Sequence, residues 1–291
     1  MPELPEVETV VRGLSLSLPG RAILEVRLGK TDFIDDPVAL AEQMSGARVV
    51  NVARRAKFIF IEMISEGTNV PPDPRFYLVI HLGMTGRLTI CHAADPILPH
   101  THVFFSLDDG RELRFTDSRR FGRMLVVAQS KAPEVFGHLG AEPLDITLEE
   151  FCVRFSARGG RIKALLLDQS VLGGVGNIYA DESLFRARIH PARIASSLTK
   201  TQLIVLHRSV REILTAAIQL RGSSIADYVD SEGNRGKFQQ RHRVYKRTGK
   251  PCARCKEPIR RIIVSGRSSH FCPKCQPAPR ARKVRRKRRK S

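Results

Sequence analysis

The chain has 291 residues, 42% hydrophobic and 27% charged, which suits a folded protein of about two domains and excludes a disordered or fibrous one. Its 49 lysines and arginines against 29 acids give a net charge of +20, so a polyanionic partner is expected, nucleic acid ahead of an anionic membrane. No stretch approaches ~18 uninterrupted apolar residues, and a membrane span is not expected.

The chain opens Met1-Pro2-Glu3-Leu4-Pro5-Glu6. Pro and acidic residues suit a helix start. Val7, Val10, Val11, Leu14 and Leu18 recur at helical spacing until Pro19-Gly20 ends the run. The stretch has a second property. If Met1 is removed, Pro2 carries a free secondary amine with a pKa of ~7.7–8, able to attack an electrophilic carbon and form an iminium. Glu3 and Glu6 stand beside it as candidate proton donors or acceptors. Glu3, Glu6 and Glu8 occupy the place where a secretory leader would be basic and then apolar, so no leader is expected.

Residues 21 to about 128 are predicted to be strands: Ile23–Leu28, the run Val49 to Ile64, Phe76 to Leu82, Val103 to Leu107, and Leu125–Val127. Asp108-Asp109-Gly110 signals a hairpin turn. Several short strands with one N-terminal helix predict a β-sandwich covered by that helix. Residues 66–75 read as a surface loop. Lys57 is placed on a strand, where a lysine is either solvated or directed into a site to bind phosphate or move protons. Met84, after one strand, and Arg119-Arg120-Phe121, after another, are core residues by default, or wedges between bases in a basic DNA-binding protein.

Beyond residue 130 the pattern becomes helical. Thr147 with Glu150 opens a helix through Phe155, Ile162 to Asp168 is a short second run, and Ile178 to Arg186 a third. Thr199 with Gln202 caps a long helix with apolar positions from Leu203 to Ala217, stopped at Gly222. The turn Gly173-Gly174-Val175-Gly176-Asn177 is either a helix connection or an anion site, since glycines let backbone N–H groups approach a phosphate. Residues 222 to about 243 form a long polar loop, functional or mobile.

Cys252-x2-Cys255 and Cys272-x2-Cys275, sixteen residues apart, have the spacing of a four-cysteine zinc site on two knuckles joined by a hairpin. Four thiolates leave no open position, so such a Zn2+ is structural. Arg260, Arg261 and Arg267 on the hairpin can meet phosphates. Cys91 and Cys152 read as small apolar residues. Nine basic residues and no acid lie between Arg280 and Lys290, leaving +11 of the +20 on the rest of the chain. This tail is expected to be disordered.

Together these motifs resemble the formamidopyrimidine-DNA glycosylase family across residues 1 to about 275: the Pro2–Glu6 start, Asp117 to Gly122, the Gly-Val-Gly-Asn turn at 174–177, and the four-cysteine finger. The resemblance implies an α+β multidomain fold: an N-terminal β-sandwich domain (1–130), a helix-two-turn-helix DNA-binding domain (131–235), a zinc finger (236–275) holding one structural Zn2+, and the basic tail (276–291). It implies excision of oxidised purines such as 8-oxoguanine from damaged double-stranded DNA, with strand cleavage by β,δ-elimination. Pro2 would attack C1′ to give a Schiff base and Glu3 would exchange protons at the sugar, with Glu6 supporting it or the lesion. Lys57 would serve β-elimination, and Arg267 would grip phosphate and assist δ-elimination. Met84, Arg119 and Phe121 would fill the gap left by the flipped base. His100, Arg119, Lys163, Asn177 and Arg158 would contact DNA, and the loop after Gly222 would close over the lesion. The resemblance also implies a cytoplasmic monomer acting at the bacterial nucleoid. The competing expectations are a sister glycosylase acting on oxidised pyrimidines and a non-catalytic zinc-finger DNA-binding protein.

Overall fold

A computed structural model describes residues 2–66 and 74–278. Most of the expected loop at 66–75 and most of the basic tail lie outside the described residues. Helix α1 (Leu4–Ser15) carries Pro5 in its first turn, where a missing N–H costs nothing, and buries Val7, Val10, Val11 and Leu14. It closes three residues before Leu18, which the periodicity had included; Leu18 is buried in the turn that follows and donates its N–H to Leu14 O.

Two four-stranded antiparallel sheets follow. The order of elements is β1 (Ile23–Leu28), α2 (Pro37–Met44), β2 (Arg48–Arg55), β3 (Phe58–Ile64), β4 (Arg75–His81), β5 (Arg87–His92), β6 (Thr101–Leu107), β7 (Arg111–Thr116) and β8 (Arg123–Ala128). One sheet runs β1-β6-β7-β5 and the other β2-β3-β4-β8. Their inner faces share a core with α1, including Phe33, Ile59, Leu78, Phe105 and Phe115. The run from Val49 to Ile64 is therefore two strands, joined where Arg55 pairs with Phe58. Lys57 sits in that two-residue turn rather than on a strand, next to Ala56 at φ +51°.

Strands β5 and β7 and helix α2 carry no strong sequence signal. In β7, Leu113 and Phe115 face the shared core, while Glu112 and Arg114 are buried on the other face of the sheet, with Arg114 Nε 2.7 Å from Glu112 Oε2. Arg27 pairs with the other Glu112 oxygen and stacks over Phe104. The pairing lets both charges stay buried on that face.

The second unit comprises α3 (Ala132–Phe136), α4 (Leu148–Ser156), α5 (Ile162–Leu167), α6 (Asn177–Arg186) and the 20-residue α7 (Lys200–Gln219). Thr147 and Thr199 cap α4 and α7 as their spacing predicts. The core of this unit includes Phe151, Phe155, Tyr179, Leu206 and Leu214, and also Leu4 from α1. Helix α1 thus contributes to both cores. The segment after α7 is not wholly loose: Tyr228 is buried in the sandwich core, and Ser231 O accepts the N–H of Ile90.

The third unit is the hairpin β9 (Arg260–Val264) and β10 (Arg267–Phe271) between the two cysteine knuckles. Its fold runs past Cys275. Gln276, expected to begin the tail, is fully buried; its Nε2 donates to Ile189 O and its Oε1 accepts from Cys272 N.

The hairpin is bolted to the helices through charge. Lys163 Nζ lies 2.6 Å from Asp181 Oδ1 and 2.6 Å from Ser268 O. Asp181 Oδ2 accepts the His270 backbone N–H at 2.9 Å and faces His270 Nδ1 at 2.9 Å. Lys163 and Asp181 are buried, so each needs the other to offset lost hydration. Lys163→Ala, which leaves Asp181 as a buried charge with one cationic partner gone, is expected to lower the unfolding free energy by about 3–5 kcal/mol. Chemical denaturation of the two proteins at neutral pH measures it.

Candidate active site

The site is built where α1 meets the turn before α6. Leu4 N donates to Gly174 O at 3.0 Å, and the Glu3 carboxylate lies across the N-terminus of α6, accepting from Ile178 N at 2.9 Å and Tyr179 N at 3.3 Å. This is the anion that the helix N-terminus holds. The donors of Ile178 and Tyr179, just after the 173–177 turn, are thus committed to a carboxylate of the same chain. The glycines serve that approach. A Cβ on Gly176 would stand 2.3 Å from Glu3 Cδ, one on Gly174 would stand 2.8 Å from Leu4 Cδ1, and Gly173 abuts Ala56.

Glu3 is 2% exposed. Burial raises its pKa, while the charge of Lys57 and the two α6 N–H groups hold it down. Lys57 is itself 8% exposed, and burial lowers its pKa against the opposing pull of Glu3, with Arg267 pushing the same way as burial. An amine that loses its proton more readily beside a carboxylate that keeps one more readily is a pair suited to proton exchange near neutral pH. The turn bearing Lys57 is clamped from below. Glu142 accepts the Ala56 N–H at 2.6 Å and pairs with Arg54 and Arg55, and Arg54 also pairs with Glu8 of α1.

Glu6 lies behind Glu3. Its Oε2 accepts the Glu3 backbone N–H at 2.9 Å, and its Oε1 accepts from Ser223 N at 2.7 Å and from the Tyr179 hydroxyl. Ser223 Oγ continues the chain to His242 Nε2 at 3.1 Å. Burial, then the nearby Glu3 charge, pushes Glu6 up to about 7. Glu6 therefore ties the first residues of the chain to the segment after α7.

Two small cavities adjoin this centre. One, of about 230 Å³, is lined by Lys57, Gly176, Asn177 and Arg267; the other, of about 310 Å³, by Glu3, Met84, Asn177, Tyr228, Tyr245 and Arg267. Asn177 faces both, and its Oδ1 is buried without a partner, as a group awaiting a ligand would be. Pro2, at the head of α1, is buried. Arg267 enters from β10, exposed.

Met84, Arg119 and Phe121 share one rim. Arg119 Nη1 lies 3.8 Å from Met84 Sδ, and Met84 and Phe121 are 41% and 61% exposed. Asp117, buried beneath them, accepts from Gly122 N, Arg119 N and Thr85 Oγ1. His100 is exposed at φ +67°, its carbonyl accepting the N–H of Asp117. Two expected DNA contacts line neither cavity. Lys163 is fully buried in the ion pair with Asp181, which consumes its charge. Arg158 is exposed beyond α4, its guanidinium bonded to Arg154 O, and lines neither cavity. Conversely, Tyr179, Ser223, Tyr228 and Tyr245 were not marked by the sequence, since no spacing rule signals residues that converge from separate segments.

The four cysteine Sγ atoms lie within 4.8 Å of one another, with separations of 3.4, 3.5 and 4.0 Å among them. Four Zn–S bonds of about 2.3 Å in a tetrahedron require S···S of about 3.8 Å. Arg254 N and Cys275 N point at Cys252 Sγ and Cys272 Sγ, stabilising thiolates. The set fits one structural Zn2+, which would fix the knuckles and with them the hairpin that presents Arg267.

An acid and an amine sunk between a helical unit and a metal-bound hairpin, under a rim of exposed apolar side chains, form a site for chemistry on a nucleotide drawn out of its duplex. That is the class of the base-excision-repair DNA glycosylases. Family models describe residues 1–124 as a formamidopyrimidine-DNA glycosylase N-terminal domain, 139–229 as its H2TH domain, and 249–278 as the zinc finger found in these enzymes and in IleRS. A formamidopyrimidine-DNA glycosylase of Herpetosiphon aurantiacus is 44% identical over 281 residues, 95% of this chain and 100% of the relative. Lactococcus lactis Fpg bound to DNA containing an abasic site is 32% identical, covers 95% of this chain and 100% of its own, and superposes with a TM-score of 0.86. A glycine-to-proline variant of the same enzyme bound to DNA containing Fapy-dG gives 0.87 at 32% identity, covering 95% of this chain and 100% of its own. The chain belongs to the formamidopyrimidine-DNA glycosylase family. Among the described residues no helix is long and apolar enough to cross a membrane.

Glu6 provides a check on the electrostatics. Its folded pKa of about 7 stands above the ordinary 4.5, so folding takes up a proton between those values. Its stabilising contribution is complete below pH 4.5 and is lost as pH rises through 7. The wild type should lose about 2.5 kcal/mol more stability from pH 5 to pH 8 than Glu6→Gln does. Urea denaturation of both proteins at the two pH values tests this.

Proposed function

We propose that this protein removes oxidised purines, 8-oxoguanine and formamidopyrimidines, from duplex DNA and then cleaves the strand through a Schiff base at Pro2. The observation that carries this reading is the buried Glu3 carboxylate, held on the α6 N-terminus beside Lys57 and next in the chain to Pro2.

With Met1 removed, the Pro2 nitrogen attacks C1′ of the flipped nucleotide and the damaged base leaves, taking a proton. Glu3 exchanges protons at the opened sugar. The iminium acidifies the 2′ position; Lys57 takes that proton, and the 3′ phosphate departs. A second elimination releases the 5′ phosphate, with Arg267 neutralising the leaving group. A water nucleophile could remove the base but would leave no iminium to drive the eliminations. Asn177 and Arg267, flanking one small cavity with Lys57, bind the phosphates around the lesion. Met84, Arg119 and Phe121 occupy the space vacated in the duplex, offsetting part of the few kcal/mol of unstacking. His100, beneath the same rim, adds a contact to the DNA. The protein works as a monomer, on DNA in the cytoplasm.

Borohydride trapping on an 8-oxoguanine duplex tests the central step. The wild type should give a covalent protein–DNA adduct and Pro2→Gly should give none, while Glu3→Gln should slow excision by about 10²–10⁴-fold. A thymine glycol duplex excised faster than the 8-oxoguanine duplex would instead assign the oxidised-pyrimidine activity.

The tail is proposed as an electrostatic tether. Arg280 to Lys290 supplies nine cations without an acid. Deleting residues 279–291, which spares the buried Gln276, should flatten the salt dependence of DNA binding and leave single-turnover excision unchanged. The slope of log affinity against log salt, measured by fluorescence anisotropy, decides it.

A further inference from the structure

A groove of about 640 Å³ lies at the far end of α6 from the DNA cleft, larger than either cavity at the active site. Its floor carries the partly exposed Ile213, Ala216 and Leu220 at the end of α7, over the buried Phe185 of α6 and Phe238 of the segment after α7. Its rim carries Arg186, Arg241, Arg243 and Arg254. Arg186 is matched by Glu212, and Arg254 is spent on the last carbonyls of α6, stacked over Phe185 at 4.4 Å. The side chains of Arg241 and Arg243 are exposed and have no acidic partner among the described residues. Glu182, on the wall, does not neutralise them, because its carboxylate is buried and turned to the backbone N–H groups of Arg243, Val244 and Tyr245.

Two unpaired cations over an apolar floor call for a ligand with both characters. We infer that this groove docks an acidic segment of another protein, one that seats a large apolar side chain on Ile213, Ala216 and Leu220 while its carboxylates meet Arg241 and Arg243. Charge complementarity selects the acidic class, and the floor selects an apolar anchor within it. The DNA backbone is a poorer occupant. Asn177 opens α6 in the DNA cleft and Arg186 closes it nine residues on, about 13 Å away along the helix. A phosphate backbone also has no group to fill an apolar floor. The groove would therefore stay open while the enzyme holds DNA, and a partner bound there would travel with the repair complex.

The test uses the full-length, zinc-loaded protein bound to a saturating abasic duplex, with a fluorescent probe: a short peptide of aspartate and glutamate containing one phenylalanine. Anisotropy should show the peptide binding the complex. Replacing its phenylalanine by alanine should weaken binding about tenfold, and so should the paired change Arg241→Ala with Arg243→Ala. That double variant should excise 8-oxoguanine at the wild-type rate, since neither arginine lines the cleft. Displacement of the peptide by the duplex would overturn the inference and assign the groove to DNA. Binding indifferent to the phenylalanine, or to the two arginines, would overturn it in favour of general attraction to a basic surface.

Discussion

The interaction on which the site depends is the Glu3 carboxylate laid across the first turn of α6. It joins the first residues of the chain to a helix more than 170 positions away. The join is made at a boundary between two cores, with Leu4 in the helical one and Val7 to Leu14 in the sandwich. Three effects meet at that carboxylate. Burial disfavours its charge, while the α6 N–H groups and the Lys57 ammonium favour it. Burial prevails, and the result is an acid that releases and recovers a proton nearer neutrality than a free glutamate. Chemistry and architecture therefore rest on the same contact.

Helix α6 serves as a common axis for the rest. Its first turn holds Glu3 and places Asn177. Its fifth residue, Asp181, reaches Lys163 of α5 and His270 of β10, and so fixes the hairpin that carries Arg267. Its sixth, Glu182, gathers three successive N–H groups of the segment leading into the finger. The zinc closes the finger, but these buried carboxylates decide where the finger points. An isolated buried ion pair is weak evidence for stability, because desolvation offsets its attraction. Here the geometric return is specific: it sets the position of an arginine relative to a proline contributed by a different unit.

What the sequence conveys is what local rules encode. The four-cysteine spacing, the α1 stripe and the Thr147 and Thr199 caps each depend on residues a few places apart, and each is realised. The failures have physical causes. Lys57 lies in a run of β-forming residues, and nothing local reveals that Ala56 takes a left-handed conformation and turns the chain there. Strand β7 puts Leu113 and Phe115 in the core, but six residues of which three are charged read as readily as a polar connection. The glycines at 173–176 announce a close approach without stating what approaches, and the answer, Glu3 and Leu4, comes from the other end of the chain. Lys163 is an ordinary basic residue until Asp181 and Ser268 O surround it. Its charge holds the hairpin against the helices.

The rim that carries Met84 and Phe121 poses the opposite problem, that of keeping apolar side chains out of the core. Hydrophobic burial would draw both inward. The backbone beneath them forbids it. Gly83, at φ +57°, packs so closely that a Cβ would lie 2.4 Å from the Phe121 carbonyl, and a Cβ on Gly122 would lie 2.8 Å from Phe115 Cζ. The two loops are thus pressed back to back over Asp117, which holds them through the N–H groups of Arg119 and Gly122 and the hydroxyl of Thr85. Met84 and Phe121 project outward from these loops, 41% and 61% exposed. The exposed wedge is therefore a consequence of tight glycine packing around one buried carboxylate. Glu3 and Asp117 act by the same logic: each is a buried acid that ties its own segment to one distant in sequence, the first turn of α6 for Glu3 and the Thr85 loop for Asp117.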